Sequence, residues 1–127
     1  MVPTKEVGNI LKNIGVSADK VVVNLGVNTN HFRPAYSKDR AKRLIGIDPS
    51  FIVIGYSGRI AREKNLSTLY NAFLSLRQKK HNVLLLIAGS GLADEIKSWK
   101  DKNVIVTGSV NNIVPYLQAM DIYVMPS

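Results

Sequence analysis

The amino-acid sequence predicts an α/β fold built on a doubly wound parallel sheet. From Phe51 onward, short apolar segments alternate with segments of helical periodicity, the order expected when parallel strands are joined by right-handed helical crossovers. The apolar segments are hydrophobic throughout rather than at alternate residues, which is typical of strands buried on both faces. Helices are therefore expected on both sides of the sheet.

The region after residue 50 is expected to contain four strands separated by three helices. The strands are the segments FIVIGYSG, NVLLLIAGSG, NVIVTGSV and DIYVMPS, and the helices are NLSTLYNAFLSLRQKK, LADEIKSWKDK and NNIVPYLQAM. Apolar residues line one side of the first helix, where only Arg77 is polar. Pro115 lies near the first turn of the last helix, a position at which its missing N–H is tolerated.

The first fifty residues do not show the regular alternation of strands and helices. Thr4 is expected to cap a short helix that ends at Gly15 in a Schellman motif. Lys20–Asn24 is rich in β-branched residues and is expected to form a strand. Residues 28–50 hold two prolines and a basic stretch, Ser37–Leu44, which is expected to form a short exposed helix between loops. We interpret residues 28–50 as a linker or domain boundary.

Composition narrows the classes of function. The 127 residues carry a net charge of +8, from 17 Lys and Arg against 9 Asp and Glu, and no run of basic residues exceeds two. A nucleic-acid partner is not expected, because nucleic-acid-binding tails and polybasic membrane anchors cluster their charge. The absence of cysteine excludes disulfides and Cys-based metal sites. No apolar stretch approaches the ~20 residues that span a bilayer, and no signal-peptide core is visible, so the cytoplasm is the expected compartment.

The segment GRIAREKN is the first candidate for a binding site. Ligands of open parallel sheets bind beyond the carboxyl ends of the strands, near the point where the strand order reverses. With the order 3-2-1-4, that point lies between the first and fourth strands, next to Gly58–Asn65 and Pro126–Ser127. Gly58 permits close approach of a ligand, while Arg59, Lys64 and a helix N-terminus would suit a diphosphate. The alternative is that these cations are solvated loop charges, one of them balanced by Glu63.

The other candidate motifs are weaker. Gly89–Gly91 follows a strand, but the dinucleotide-binding fingerprint fails at Asp94, so a simple glycine turn is expected. Gly108–Val110 closes the third strand and can offer backbone groups to a base. Asp121 stands at the amino end of the fourth strand and is expected to be structural. The two histidines have no clustered partner, so neither a metal site nor a Ser–His–Asp set is expected.

Five motifs together resemble the retaining GT-B glycosyltransferases of the large group 1 family. In order, they are GVNTNHFRP, GRIAREKN, LIAGSG, VIVTGSV and DIYVMPS, and they cover nearly the whole chain. The resemblance implies a Rossmann-like donor-binding domain and adds three further expectations. Gly58, Arg59 and Lys64 would hold the donor diphosphate, Gly108–Val110 (with Ser109 between them) would contact the base, and Pro126 and Ser127 would lie near the donor.

The same resemblance implies how the chain is organised. Residues 1–27 would be the last helix and strand of an acceptor domain, 28–50 the interdomain linker, and 51–127 the first half of the donor domain. The acidic E-x7-E motif of the family, which binds the donor ribose and sugar, would begin just past Ser127. The chain is therefore expected to be an inactive fragment, possessing no complete catalytic set.

For the parent protein, the expected reaction is transfer of a sugar from a nucleotide diphosphate sugar to an acceptor hydroxyl whose identity is open. No cofactor or metal is expected beyond the donor substrate. The parent is expected to associate peripherally with membranes, and the fragment to form a homodimer. Two alternatives stay open: a nucleotide-sugar epimerase of the same fold, and a non-catalytic nucleotide- or phosphate-binding module. A basic RNA-binding domain is the weakest alternative, since no aromatic cluster for base stacking is present.

Overall fold

The computed structural model describes residues 1–24, 26–91, 96 and 98–126. It divides the chain into two compact units, Met1–Phe32 and Arg33–Ser127. Two predictions fall partly or wholly outside the described residues: the helix expected at 92–102, of which 92–95 and 97 are not described, and the placement of Ser127. In the part of the chain that is described, no helix combines the length and apolar character needed to cross a membrane.

The first unit contains the predicted helix, α1 (Lys5–Asn13), with both of its expected ends. The side-chain oxygen of Thr4 accepts a hydrogen bond from the Val7 amide at 3.3 Å. At the other end, the Val16 amide donates to the Leu11 carbonyl, and the Gly15 amide donates to the carbonyl of the residue after Leu11. These two bonds define the Schellman motif, with Gly15 at a φ of 92°. The predicted capping is confirmed.

The strand predicted at Lys20–Asn24 is wrong. Only Val22 forms a bridge, with Val2, supported by hydrogen bonds of 2.9 Å on either side of it. The side chains of Val21, Val22 and Val23 are 62%, 40% and 45% exposed. A β-branched segment becomes a strand only when another strand pairs along its length, and within this unit Val2 pairs with it at one residue.

The second unit contains a four-stranded parallel sheet. Its strands are β1 (Ile52–Ser57), β2 (Val83–Ala88), β3 (Val104–Val106) and β4 (Ile122–Tyr123), arranged in the order β3-β2-β1-β4. The predicted order is therefore confirmed. The strands β3 and β4 are shorter than their apolar segments, because few of their residues pair with a neighbouring strand.

Helices cover both faces of the sheet, as predicted. They are α2 (Lys38–Leu44), α3 (Leu66–Lys79) and α4 (Val114–Ala119), and a 3₁₀ turn spans Arg62–Lys64. One face packs on α3 and buries Tyr56 and its neighbours. The opposite face buries Val53 together with Met120, which follows α4. Successive residues of a strand point to opposite faces, so the continuous apolar strands supply both cores.

The helix α2 belongs to the second unit and is less exposed than predicted. Ala41 and Lys42 are both buried. The Lys42 ammonium lies 2.7 Å from Asp121 Oδ2 and donates to the Phe51 carbonyl at 2.7 Å. Asp121 Oδ2 also accepts from the Val53 amide at 2.8 Å, which fits its expected structural role. The assignment of residues 28–50 to a linker stays a prediction, as do the other domain bounds.

Candidate ligand-binding site

A cavity of about 680 Å³ lies at the carboxyl edge of the sheet. It is formed by the segments that follow β1, β2 and β3, because parallel strands direct their carboxyl ends to one edge. The described lining residues are Ser57, Gly58, Arg59, Ala88, Gly89, Ser90, Gly91, Ser109, Val110 and Ile113. Arg59 is the only charged residue among them, so the described wall is cationic and otherwise small, polar or apolar.

The segment after β1 is shaped by a glycine and a buried tyrosine. Gly58 has a φ of 146°, and a Cβ at this position would lie 2.8 Å from the hydroxyl of Tyr56. That hydroxyl donates to the carbonyl of Arg59 at 2.8 Å. The Tyr56 side chain is completely buried, and burial is the largest cause that raises its pKa above the usual value. The phenol therefore stays protonated and remains a hydrogen-bond donor through the physiological range.

Arg59 forms an ion pair with Glu63, four residues along the chain. Both side chains are largely exposed, at 72% and 55%. The sequence left open whether Glu63 balances a nearby cation, and the structure shows that it does. An exposed pair of this kind contributes only ~0–1 kcal/mol. The guanidinium can thus exchange Glu63 for an anionic ligand at little cost.

The segment after β2 is not the simple glycine turn that the sequence predicted. It continues β2 alongside the β1 loop, with hydrogen bonds of 3.0 Å from the Gly58 amide to Ala88 and from the Ile60 amide to Ser90. A Cβ on Gly89 would lie 1.9 Å from the Gly58 carbonyl oxygen, and one on Gly91 would lie 1.9 Å from that of Ile60. The two glycines are required because the backbones approach so closely.

The segment after β3 completes the wall of the cavity. The Ser109 hydroxyl lies 2.7 Å from the hydroxyl of Ser90. Gly108 has a φ of 70° and forms a bridge with Gly89. Direct contacts therefore join the three neighbouring loops, and the cavity is a connected surface.

The structure brings some of the predicted site residues together and leaves others apart. Gly58, Arg59, Ser109 and Val110 all line the cavity. Lys64, Gly108 and Pro126 are not among its described lining residues. Lys64 is half-buried at the end of the 3₁₀ turn. The next residue, Asn65, is the N-cap residue of α3 and has a φ of 50°. Ser127 lies outside the described residues.

Sequence reasoning missed several lining residues. Ser90 was assigned to a turn, and neither Ser57 nor Ile113 was singled out. One signal was available for Ser90, namely the spacing of Gly89 and Gly91. Glycines at i and i+2 of an extended segment face the same side, which indicates a second backbone close to that side. No comparable pattern marks Ile113.

Fold and cavity together define an α/β domain with a ligand crevice at the carboxyl edge of a doubly wound sheet. The model of the family described as Glycosyl transferases group 1 matches residues 52–127. The chain belongs to this family. The resemblance inferred from the five motifs is therefore confirmed.

Curated relatives and solved structures agree with this assignment. A lipopolysaccharide core biosynthesis mannosyltransferase of Rhizobium meliloti is 24% identical over 83% of this chain and 33% of its own length. The C-terminal domain of a group 1 family protein from Francisella tularensis, LpcC, superposes with a TM-score of 0.69 and 24% identity, covering 80% of this chain and 59% of that chain. Anabaena HepE, crystallised with UDP, gives a TM-score of 0.75 at 19% identity and covers 99% of this chain and 37% of that chain.

These structural likenesses, at low identity, establish the Rossmann-like fold and no more. The chain spans about a third of the length of the curated relatives it matches first.

Proposed function

We propose that the chain supplies the diphosphate- and base-binding wall of a sugar transferase that uses a nucleotide diphosphate sugar as donor. The parent protein transfers the sugar to an acceptor hydroxyl. The observation that carries this proposal is the cavity at the carboxyl edge of the sheet, in which Arg59 and the Ser109–Val110 segment face one space in a member of the group 1 family.

The chemistry of the cavity wall supports a nucleoside diphosphate. Arg59 supplies a planar guanidinium that can form paired hydrogen bonds with phosphate oxygens. Gly58 presents no side chain, so a ligand can approach its backbone. Val110 and Ile113 add apolar surface for a base, and the hydroxyls of Ser90 and Ser109 add polar groups that can orient it.

In the transfer reaction, negative charge grows on the departing diphosphate as the bond to the sugar breaks. Arg59, which lines the cavity, offsets that charge and so stabilises the transition state. Lys64 has the same proposed role, and reaching the phosphate would require its half-buried side chain to turn toward the cavity. No resident cofactor is part of the proposal.

The other expectations remain proposals. The parent works in the cytoplasm and associates peripherally with a membrane. The isolated chain forms a homodimer, because β4 pairs only with β1 among the described strands and leaves Ile122 and Tyr123 about half exposed, an edge open to another chain. Light scattering that reports a monomer at all concentrations would contradict the dimer.

Binding of UDP tests the proposed diphosphate site. Titration calorimetry at low salt should detect weak binding to the wild-type chain. Arg59→Ala should weaken it by about 1.5–3 kcal/mol, the usual value for a hydrogen bond to a charged group. Arg62→Ala is the matched control, because Arg62 is exposed in the same segment but is not among the described lining residues. Equal affinity of wild type and Arg59→Ala would remove the diphosphate from this loop.

A further inference from the structure

We infer that Tyr56 is a positioning residue, whose buried hydroxyl fixes the backbone of Arg59 so that the guanidinium faces the diphosphate. The inference rests on the proposed function, since it concerns how Arg59 is held for that ligand. Tyr56 itself does not line the described cavity, and its action is through the carbonyl of Arg59.

The phenol is a rigid anchor because β1, the strand that carries Tyr56, is paired with a strand on each side. Within the sheet, Tyr56 pairs with Ile87 of β2, and the preceding residue, Gly55, pairs with Tyr123 of β4. The Tyr56 side chain has no exposed surface and belongs to the core that packs under α3. Its hydroxyl therefore stays where the sheet places it.

Arg59 needs such an anchor because its side chain is poorly held. The guanidinium is mostly exposed and pairs with the carboxylate of Glu63, which is also mostly exposed. The flanking residues are tied to the β2 extension through the Gly58 and Ile60 amides. For residue 59 itself, the described backbone contact is the carbonyl that accepts the Tyr56 hydroxyl.

The local geometry explains why the hydrogen bond from Tyr56 controls the direction of the Arg59 side chain. The hydroxyl lies directly against Gly58, at 2.8 Å from the site of a Cβ, so it fills the inside of the turn. The bond then reaches the next residue at 2.8 Å and fixes the orientation of the peptide from which Arg59 projects. A ligand that meets a preoriented guanidinium loses less entropy on binding.

The change Tyr56→Phe removes the hydroxyl and keeps the buried ring. UDP affinity of the 127-residue chain should fall by roughly 2- to 10-fold, the range for one neutral hydrogen bond. In the Arg59→Ala background the same change should have almost no effect, because its action passes through the lost side chain. Tyr70→Phe is the control, since Tyr70 stacks on Trp99 and lies outside the described cavity wall.

The outcomes separate the two proposals. An equal loss of affinity in both backgrounds, or no loss in either, overturns the positioning role while the effect of Arg59→Ala still supports the diphosphate site. If Arg59→Ala does not change the UDP affinity, both the diphosphate site and the positioning role of Tyr56 are wrong. NMR titration reaches the millimolar range needed for the weaker variants, and thermal unfolding verifies that each variant is folded. As a second readout without ligand, the Ile60 amide should exchange faster in Tyr56→Phe than in Tyr70→Phe, and equal rates would count against the inference.

Discussion

The two edges of the sheet use charge in opposite ways. At the amino edge, Lys42 and Asp121 are 5% and 26% exposed, and Arg77 and Asp101 are 16% and 18% exposed. At the carboxyl edge, the side chain of Arg59 is 72% exposed. Removing charges from water is costly unless they are paired and hydrogen-bonded. The amino-edge pairs meet that condition and hold the fold together, while the carboxyl-edge cation remains available to a ligand.

Further hydrogen bonds of the amino-edge pairs support their role in holding the fold together. Besides its carboxylate partner, Lys42 donates to a backbone carbonyl, and Arg77 donates to the carbonyl of His81 at 2.8 Å. Asp101 accepts from the Asn103 amide at 2.8 Å, just before β3 begins. Each of these side chains ties a helix to the start of a strand. Their loss should therefore be visible in stability rather than in ligand binding.

The largest expected effect is on stability at the amino edge. Lys42→Met should lower the free energy of unfolding by about 2–4 kcal/mol, because the partly buried carboxylate of Asp121 would lose its cationic partner. Arg59→Met is the comparison variant and should cost at most ~1 kcal/mol. Urea unfolding measures both, and equal losses would break the contrast between the edges.

A second effect sharpens the comparison at the carboxyl edge. Gly91→Ala should destabilise the chain by roughly 1–3 kcal/mol, the usual cost of overpacking, because the new methyl group would meet the Ile60 carbonyl oxygen at 1.9 Å. It should also weaken UDP binding. Gly26→Ala is the control for glycine replacement, since Gly26, like Gly91, does not lie at a positive φ and a Cβ there meets no atom within 4 Å. Unchanged UDP affinity in a folded Gly91→Ala variant would contradict the close packing of the two loops.

The smallest effect is a pH dependence in the turn that precedes β1. The Ser50 amide donates to the carboxylate of Asp48 at 2.8 Å, and this backbone hydrogen bond is the main cause that lowers the Asp48 pKa below 3.8. A pKa that is lowered on folding stabilises the folded state above the unfolded pKa. That contribution should be complete above pH 3.8 and disappear as the pH falls through the lowered value. Asp48→Asn should remove this part of the acid dependence, and an unchanged profile would contradict the assignment.

Local signals in the sequence predicted much of the fold. The caps of α1, the stripe of α3 and the continuous apolar strands are set by residues close together in the chain, and each was confirmed. The strand order β3-β2-β1-β4 also followed, because the alternation of strands and helices with right-handed crossovers leaves few arrangements.

The features that the sequence did not predict depend on partners far along the chain. Lys42 is buried because Asp121 meets it, and nothing near Lys42 in the sequence indicates that partner. The segment Lys20–Asn24 does not form the expected strand, because no second strand in the described part of its unit pairs along its length. In the cavity, Arg59 and Ser109 were identified from their place at the carboxyl ends of strands and from the family motifs. The hydrogen bond of Tyr56 to Arg59 and the contact of Ser90 with Ser109 are seen only in the folded chain.

The most direct measurement of the central claim is an NMR titration of the 127-residue chain with UDP, read at both edges of the sheet. The largest amide shifts should occur at the carboxyl edge, in the residues Gly58, Arg59, Ser90, Gly91, Ser109 and Val110. Amides at the amino edge, such as Val53, Asn103 and Asp121, should hardly move. Shifts concentrated at the amino edge, or none at either edge with millimolar UDP, would contradict a diphosphate site in this cavity.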